Sequence, residues 1–198
     1  MRVIVGRFRG RRLVAGPGDA TRPILDRVKQ ALFDRLGSRW GRPGELPDMS
    51  VLDLFAGVGN LGIEALSRGA SFCCFVEQDR MALQALRANL STIGVSREAV
   101  VVAGPAASAP VPAPPHGGYG LIFVDPPYPL SRDGSDASPL AAVFRRLGHD
   151  IAVAQNALLV WRLPLDAPLP ATLPGHWCLE QRHDYGSMRL ALLVRTSP

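Results

Sequence analysis

Three stretches of the chain carry residues whose types and spacing could do chemistry. The first is Val51-Leu52-Asp53-Leu54-Phe55-Ala56-Gly57-Val58-Gly59-Asn60-Leu61-Gly62, which spells G-x-G-x-x-G after an apolar run. Gly57 and Gly59 have no Cβ, tolerate positive φ and let a ligand approach the main chain closely. Glu77 follows Gly57 by twenty positions, the spacing of an acid that accepts from a ribose hydroxyl. A dinucleotide fits this pattern and so does S-adenosylmethionine, since both carry an adenosine; a plain strand-to-helix turn can also hold such glycines. The second stretch is Asp125-Pro126-Pro127-Tyr128. Its two prolines fix two φ angles and remove two N–H donors. The loop therefore offers only acceptors, the Asp125 carboxylate and the carbonyls of Pro126 or Pro127. Such a pocket suits a substrate that donates, such as an exocyclic NH₂ group, and Tyr128 adds a flat face for a base. The third is a basic N-terminal arm. Residues 1–42 hold eleven Lys and Arg against three Asp, a balance of +8 within a chain of net charge +5. A basic arm on a slightly acidic body points to a polyanionic partner, or to an arm kept basic for solubility.

The elements that position these residues follow from periodicity. Val51–Phe55 reads as a buried strand leading to a helix over Asn60–Arg68. Ser71–Val76 reads as a second strand ending at Glu77, followed by a helix over Arg80–Ser91 with Asp79 as N-cap and Gly94 near its end. Val100–Ala103 and Leu121–Val124 make two more strands, the latter ending at Asp125. Ser138-Pro139 opens a helix closed by Gly148, Ala157–Trp161 is a fifth strand, and Trp177–His183 with Met188–Val194 forms a hairpin. Alternating strands and helices imply a parallel sheet covered on both faces. Gly104–Gly118, crowded with Pro and Ala, holds one short helix or none. In the arm, Arg2–Val14 reads as two short strands turning at Arg9-Gly10, with a turn at Gly16-Pro17-Gly18-Asp19. A helix from Pro23 to Gly37 carries Leu25, Val28, Leu32 and Leu36 as its apolar stripe, with Arg27, Lys29 and Arg35 off it. The Pro/Gly-rich stretch from Gly41 to Asp48 separates an extension, residues 1–42, from a main domain, 43–198. Glu77, Asp125 and the glycine loop all fall at strand carboxyl ends, where ligands of open α/β sheets sit.

Composition narrows the class. At 198 residues and 47% hydrophobic, the chain can bury a substantial core. No apolar run approaches the ~18 residues of a membrane span, and the arginines at 7, 9, 11 and 12 break any secretory signal. A cytoplasmic protein is expected, and an organellar transit peptide fits less well with an arm that alternates like a strand. Three cysteines lack metal spacing and read as buried thiols, with Cys73 and Cys74 on opposite strand faces. His116, His149, His176 and His183 are scattered without ligand spacing, and no metal is expected. Arg145-Arg146 reads as an exposed helix face or a second RNA contact.

With these motifs in place, the chain resembles the bacterial small-subunit ribosomal RNA guanine-N2 methyltransferases of the 16S rRNA type. The V-L-D-L-F-A-G-x-G loop and the [D/N]-P-P-[Y/F] motif carry the resemblance. The opening Arg2–Leu13, Thr21-Arg22-Pro23, Asp26–Phe33, Leu61–Ala70, Phe75–Asp79 and Tyr185-Gly186 extend it over nearly the whole chain. It implies a Rossmann-like methyltransferase fold: a mostly parallel seven-stranded sheet with a C-terminal antiparallel hairpin, plus an N-terminal β-hairpin and helix. It implies S-adenosylmethionine as cofactor, ribosomal RNA or a small ribosomal subunit particle as partner, and a monomer that does not engage membranes. By the same resemblance Asp53, Phe55, Ala56, Gly57, Gly59, Glu77 and Gln78 bind the cofactor, with Glu77 accepting from both ribose hydroxyls. Asp125, Pro126 and Tyr128 hold and stack the target guanine. Arg7, Arg9, Arg11, Arg12, Arg22 and Arg27 contact RNA. The chain departs from the family where an acid usually follows the third strand; here Ala103-Gly104-Pro105-Ala106 leaves adenine to main-chain groups. Two rival functions remain: an amino-methyltransferase acting on another RNA or on adenine N6 of DNA, and an inactive RNA-binding assembly factor. A nicotinamide oxidoreductase fits worse, because nothing in it needs Asp125-Pro126-Pro127-Tyr128.

Overall fold

The computed structural model describes residues 1–15, 24–115, 117–149 and 151–195. The turn expected at Gly16–Asp19, the Thr21-Arg22-Pro23 motif and His116 lie outside them. In chain order the elements are α1 (Asp26–Arg39), β1 (Ser50–Leu54), α2 (Asn60–Ser67), β2 (Phe72–Glu77), α3 (Arg80–Ile93), β3 (Ala99–Ala103) and β4 (Tyr119–Val124). They continue with α4 (Tyr128–Arg132), α5 (Pro139–His149), β5 (Val153–Pro164), β6 (Thr172–Leu173), β7 (Trp177–Tyr185) and β8 (Met188–Arg195). The strands form one sheet in the order β3-β2-β1-β4-β5-β8-β7-β6. The first five pair in parallel and the last three antiparallel. This is the Rossmann-like α/β architecture that the alternating pattern predicts, with eight strands in place of seven. The extra strand, β6, contributes two residue pairs at the sheet edge, too few to leave a periodic signal. The order reverses between β1 and β4, so the crevice lies beyond their carboxyl ends.

Side-chain alternation divides the core between the two faces of the sheet. Val51, Cys73, Phe75, Leu121 and Phe123 lie on one face, and Leu52, Leu54, Cys74, Ile122 and Val124 on the other. The adjacent cysteines thus point to opposite faces, as expected. Val3, Leu13, Val28, Leu32, Phe33 and Leu36 join the first face, and the Phe33 and Phe123 rings stand 5.8 Å apart. The described part of residues 1–42 therefore joins α2 and α3 in the layer that covers this face of the sheet.

The arm differs from the sequence expectation in two ways. Its two strands shorten to an antiparallel pairing around Arg2 and Arg12, because the residues from Ile4 to Phe8 turn main-chain donors to α2. Within that pairing the Val3 N–H donates to the Arg11 carbonyl at 3.0 Å, the Gly10 N–H to the Val3 carbonyl at 3.0 Å and the Leu13 N–H to the Met1 carbonyl at 3.1 Å. The Ile4 and Val5 N–H groups donate to the Glu64 carboxylate at 2.9 and 3.1 Å. Those of Arg7 and Phe8 donate to the Ser67 carbonyl and hydroxyl at 2.9 and 3.0 Å. Gly6, at φ 89°, lies so close that a Cβ would sit 1.8 Å from the Ser67 carbonyl oxygen. The second difference is Lys29, expected off the apolar stripe and found fully buried. Its Nζ donates to the Arg2 carbonyl at 2.8 Å and Asn60 Oδ1 at 2.7 Å, and pairs with Glu64 Oε2 at 3.1 Å. Glu64 also accepts from Arg68 Nε at 2.8 Å. Glu64 and Arg68 are buried too.

Candidate active site

The β1–α2 loop forms because β1 ends in a sharp reversal. Phe55 leaves the strand at φ 59°, a left-handed conformation that costs a bulky residue about 1–2 kcal/mol and persists where the surroundings enforce it. The Ala56 N–H donates to the Val76 carbonyl at 3.0 Å, tying the loop to β2. Beyond its chain neighbours, a Cβ on Gly57 would meet no atom of the described residues within 4 Å, so the main chain there opens onto the crevice. Gly62 does the opposite, since a Cβ on it would lie 2.3 Å from the Phe75 ring. The last glycine of the motif lets α2 pack tightly on β2. Asp53, buried within β1, accepts from the Gly62 N–H at 2.8 Å and so fixes the first turn of α2. Burial pushes its carboxyl up to about 8 against the pull of that N–H, and the Asp125 and Glu77 carboxylates push the same way.

Glu77 ends β2 and binds the same loop. Its Oε2 accepts from the Gly57 N–H at 2.7 Å, and its Oε1 from the N–H groups of Gln78 and Asp79 at 2.8 Å each. A carboxylate has about four lone-pair sites, so one remains, on Oε2. As placed, Oε2 keeps an acceptor site at the glycine loop beyond its protein hydrogen bonds among the described residues. Asp79 caps α3 by accepting from the Ala82 N–H at 2.8 Å, as predicted, and the Gln78 side chain is exposed. After β3, Gly104 donates to the Glu77 carbonyl at 2.9 Å. The Ala106 and Ala109 carbonyls accept from Arg146. Arg146 is thus half-buried and tied to that loop rather than a bare exposed face, and Gly104–Gly118 holds turns and no helix among its described residues.

Asp125 follows the last pair of the β4–β5 ladder, Val124 with Trp161. Register therefore sets it beside Arg162, a residue that sequence reasoning passed over. Arg162 Nε donates to Asp125 Oδ1 at 2.5 Å, with the two side chains 4% and 18% exposed. Among the described residues Asp125 Oδ2 carries no protein hydrogen bond. Burial pushes the Asp125 carboxyl above its ordinary range, and the Arg162 guanidinium pulls it part of the way back. Pro126 is buried, and Tyr128 opens α4, an element with no sequence forecast. The Tyr128 ring centroid lies 6.0 Å from the Arg162 guanidinium carbon, and its hydroxyl is buried without a partner among the described residues.

The arm's arginines divide. Arg7 grips the Glu98 carboxylate with both terminal nitrogens and donates Nε to the Leu66 carbonyl at 3.2 Å, so it anchors the arm to the far end of α2. Arg9, Arg11, Arg12 and Arg27 are exposed, and their side chains hold no hydrogen bond or ion pair among the described residues. Arg22 lies outside those residues. Arg12 bridges Arg2, whose carbonyl reaches Asn60 through Lys29, at the glycine-loop end of α2. Arg9 follows the turn over the opposite end. No group of His, Cys, Asp or Glu among the described residues could hold a metal ion, and no described helix is long and apolar enough to cross a membrane.

Residues 1–194 match the family described as conserved hypothetical protein 95. The chain is 33% identical over 195 residues to the Escherichia coli K12 protein named ribosomal RNA small subunit methyltransferase D, covering 98% of this chain and 90% of that one. A Haemophilus influenzae protein of the same name is 37% identical over 182 residues, covering 90% and 86%. Among solved structures, Escherichia coli yhhF aligns with a TM-score of 0.77 at 33% identity, covering 98% of this chain and 97% of that one. A hypothetical protein from Thermus thermophilus aligns with a TM-score of 0.72 at 29% identity, over 99% of each chain.

Proposed function

Because the chain belongs to the conserved hypothetical protein 95 family, which takes in the ribosomal RNA small subunit methyltransferase D proteins, we propose that it methylates small-subunit ribosomal RNA. We take the acceptor to be the exocyclic N2 amine of a guanine and the donor to be S-adenosylmethionine. The observation that carries the reading is Asp125 Oδ2, an acceptor without a protein partner among the described residues at the end of β4, in a loop whose prolines supply no N–H donor. The glycine loop fits the donor: its main chain opens at Gly57, and Glu77 keeps one acceptor site beside it. Phe55, Ala56, Gly57 and Gly59 would hold the methionine end and sugar, and Asp53 and Glu77 keep that loop in place. When bound, S-adenosylmethionine supplies an electrophilic methyl on a sulfonium that keeps the C–S electron pair. The chain's residues do the rest. Asp125 and the Pro126 carbonyl draw the amine hydrogens, turning the nitrogen lone pair out of ring conjugation, while Tyr128 supports the flipped base. The amine gains one methyl and sheds one proton along its hydrogen bond to Asp125. Holding the two reactants in this geometry can supply about 7–11 kcal/mol of the barrier.

Incubation with methyl-labelled donor and either rRNA or small-subunit particles, followed by nucleoside analysis, tests the reading. Label in N2-methylguanosine is the expected result. Label in N6-methyladenosine would move the acceptor to adenine, and donor binding without RNA label would leave an assembly factor.

The arm supplies a second expected outcome. If Arg11 and Arg12 neutralise phosphates, changing both to Ala flattens the slope of log K for RNA against log[salt] by about 1.4, at about 0.7 per single-strand phosphate contact. Arg9→Ala should change it less, since Arg9 follows the turn at the far end of α2. Donor affinity should not move. An unchanged slope for the Arg11/Arg12 pair removes the arm from the RNA interface.

A further inference from the structure

Arg162 touches both residues of the acceptor motif that present side-chain chemistry. Its Nε donates to Asp125 Oδ1, and its guanidinium lies 6.0 Å from the Tyr128 ring centroid. Its place is fixed on both sides. It pairs with Leu190 of β8 in the antiparallel ladder, and it stands one position beyond the Trp161–Val124 pair of the parallel ladder. Strand alternation turns Trp161 and Leu163 to the face covered by α5 and Arg162 to the face of α1 and α2, where Asp125 also points. An arginine this buried is uncommon without a charged partner, and the partner here is the carboxylate assigned to the acceptor amine.

We propose that Arg162 is a positioning residue for methyl transfer: by occupying Oδ1 of Asp125 it orients the carboxylate so that Oδ2 is the oxygen that meets the acceptor amine. The inference rests on the proposed role of Asp125. An Asp side chain unpinned in this crevice can rotate and offer either oxygen. With Nε on Oδ1 a single oxygen is left, its direction set by a guanidinium held in the sheet. The cation also keeps the carboxylate an acceptor. Glu77 from β2 faces the same crevice, while the Asp53 carboxyl of β1, pushed up to about 8, is mostly protonated near neutral pH. The α4 helix brings the Tyr128 phenol, and its Arg132 is exposed and paired with Asp166, so Arg162 from β5 is the cation among the described groups that opposes burial at Asp125. A protonated Asp125 would direct an O–H at the amine in place of a lone pair. Arginine suits the position because it stays charged when buried and presents a rigid fork, which a lysine lacks.

The test uses Arg162→Met and Arg162→Lys in the full chain, with two readouts. The first is the carbon-13 titration of the Asp125 carboxyl, which needs no substrate. Its midpoint should rise by about 1–3 pH units in Arg162→Met, the span an adjacent opposite charge commands, and by less in Arg162→Lys. The second is the pH profile of methyl transfer, whose acid limb should move up with that midpoint. KM for the methyl donor should stay within a few fold. A loss of rate that is equal at every pH, with the Asp125 midpoint unmoved, overturns the proposal by making Arg162 merely structural. If Arg162→Met does not fold, Arg162→Lys decides by the same two measurements. A shifted midpoint in a chain whose wild type methylates no RNA would sink the functional reading while leaving the Arg162–Asp125 coupling in place.

Discussion

Asp125→Ala is expected to lower methyl transfer by at least about 10²–10³-fold, the usual cost of deleting one preorganised hydrogen-bonding group aimed at the reacting centre. Donor affinity should stay within a few fold, because the glycine loop and Glu77 stand on β1 and β2. A drop in kcat with KM for the donor unchanged is the signature of an interaction made with the reacting amine. The substitution has a second consequence. It leaves Arg162, 4% exposed, without its carboxylate, and breaking a buried pair from one side costs about 3–5 kcal/mol before relaxation. The variant is therefore less stable, and a low rate alone would be ambiguous. Asp125→Ala combined with Arg162→Met removes the stranded cation, and should recover much of the stability without recovering the rate. Calorimetric donor binding, thermal unfolding and single-turnover methylation on the three proteins separate the effects. Turnover that survives in the double variant would place the amine elsewhere and end the assignment of Asp125.

How much of this was legible in the sequence depends on the distance over which each feature is encoded. β1, the glycine loop, α3 with its Asp79 cap, and the terminal hairpin are local patterns and are found close to where periodicity places them. Asp125 was legible because two prolines mark it. Arg162 was not, since it lies 37 residues from its partner and the pairing exists only once β4 and β5 share a register. The left-handed Phe55 was also hidden, because a residue that ends a strand under strain has the same identity as one that continues it. Lys29 is a different case. It sits one residue after Val28 and three before Leu32, beside the buried stripe, whereas Leu25, expected on that stripe, is exposed. Its charge argued for the solvent side, and Glu64, presented by α2 from 35 positions away, together with the Arg2 carbonyl and Asn60, makes the buried position tenable. The hairpin expected in the arm is present but short, since Val3, Gly10 and Leu13 donate across it while Ile4, Val5, Arg7 and Phe8 donate to Glu64 and Ser67 of α2.

Glu64→Ala is expected to be the most destabilising change outside the acceptor motif, by about 3–5 kcal/mol. The carboxylate takes four donors: Lys29 Nζ and the Ile4 N–H on Oε2, Arg68 Nε and the Val5 N–H on Oε1. Four donors fill its acceptor sites. Its removal strands two cations whose side chains are fully buried and two amides of the arm, each worth about 1–3 kcal/mol when left unsatisfied. Compare Arg132 with Asp166, 3.1 Å apart but 50% and 66% exposed. Solvent screening leaves that pair about 0–1 kcal/mol, so Asp166→Ala serves as the control. Glu64→Gln should fall between the two, since the amide keeps one accepting oxygen and sets its NH₂ donors against a cation. The consequence extends to function through Lys29, which also donates to Asn60 Oδ1 at the start of α2. As the arm detaches, the glycine-loop end of α2 loses a tether, so donor affinity should fall together with stability in Glu64→Ala. In Asp166→Ala neither should change. Denaturant unfolding of the three variants with parallel donor titrations measures both. A Glu64→Ala protein within about 1 kcal/mol of wild type, far short of the cost of a broken buried pair, would mean that water reaches Lys29 and Arg68 and that the arm is not held by this carboxylate.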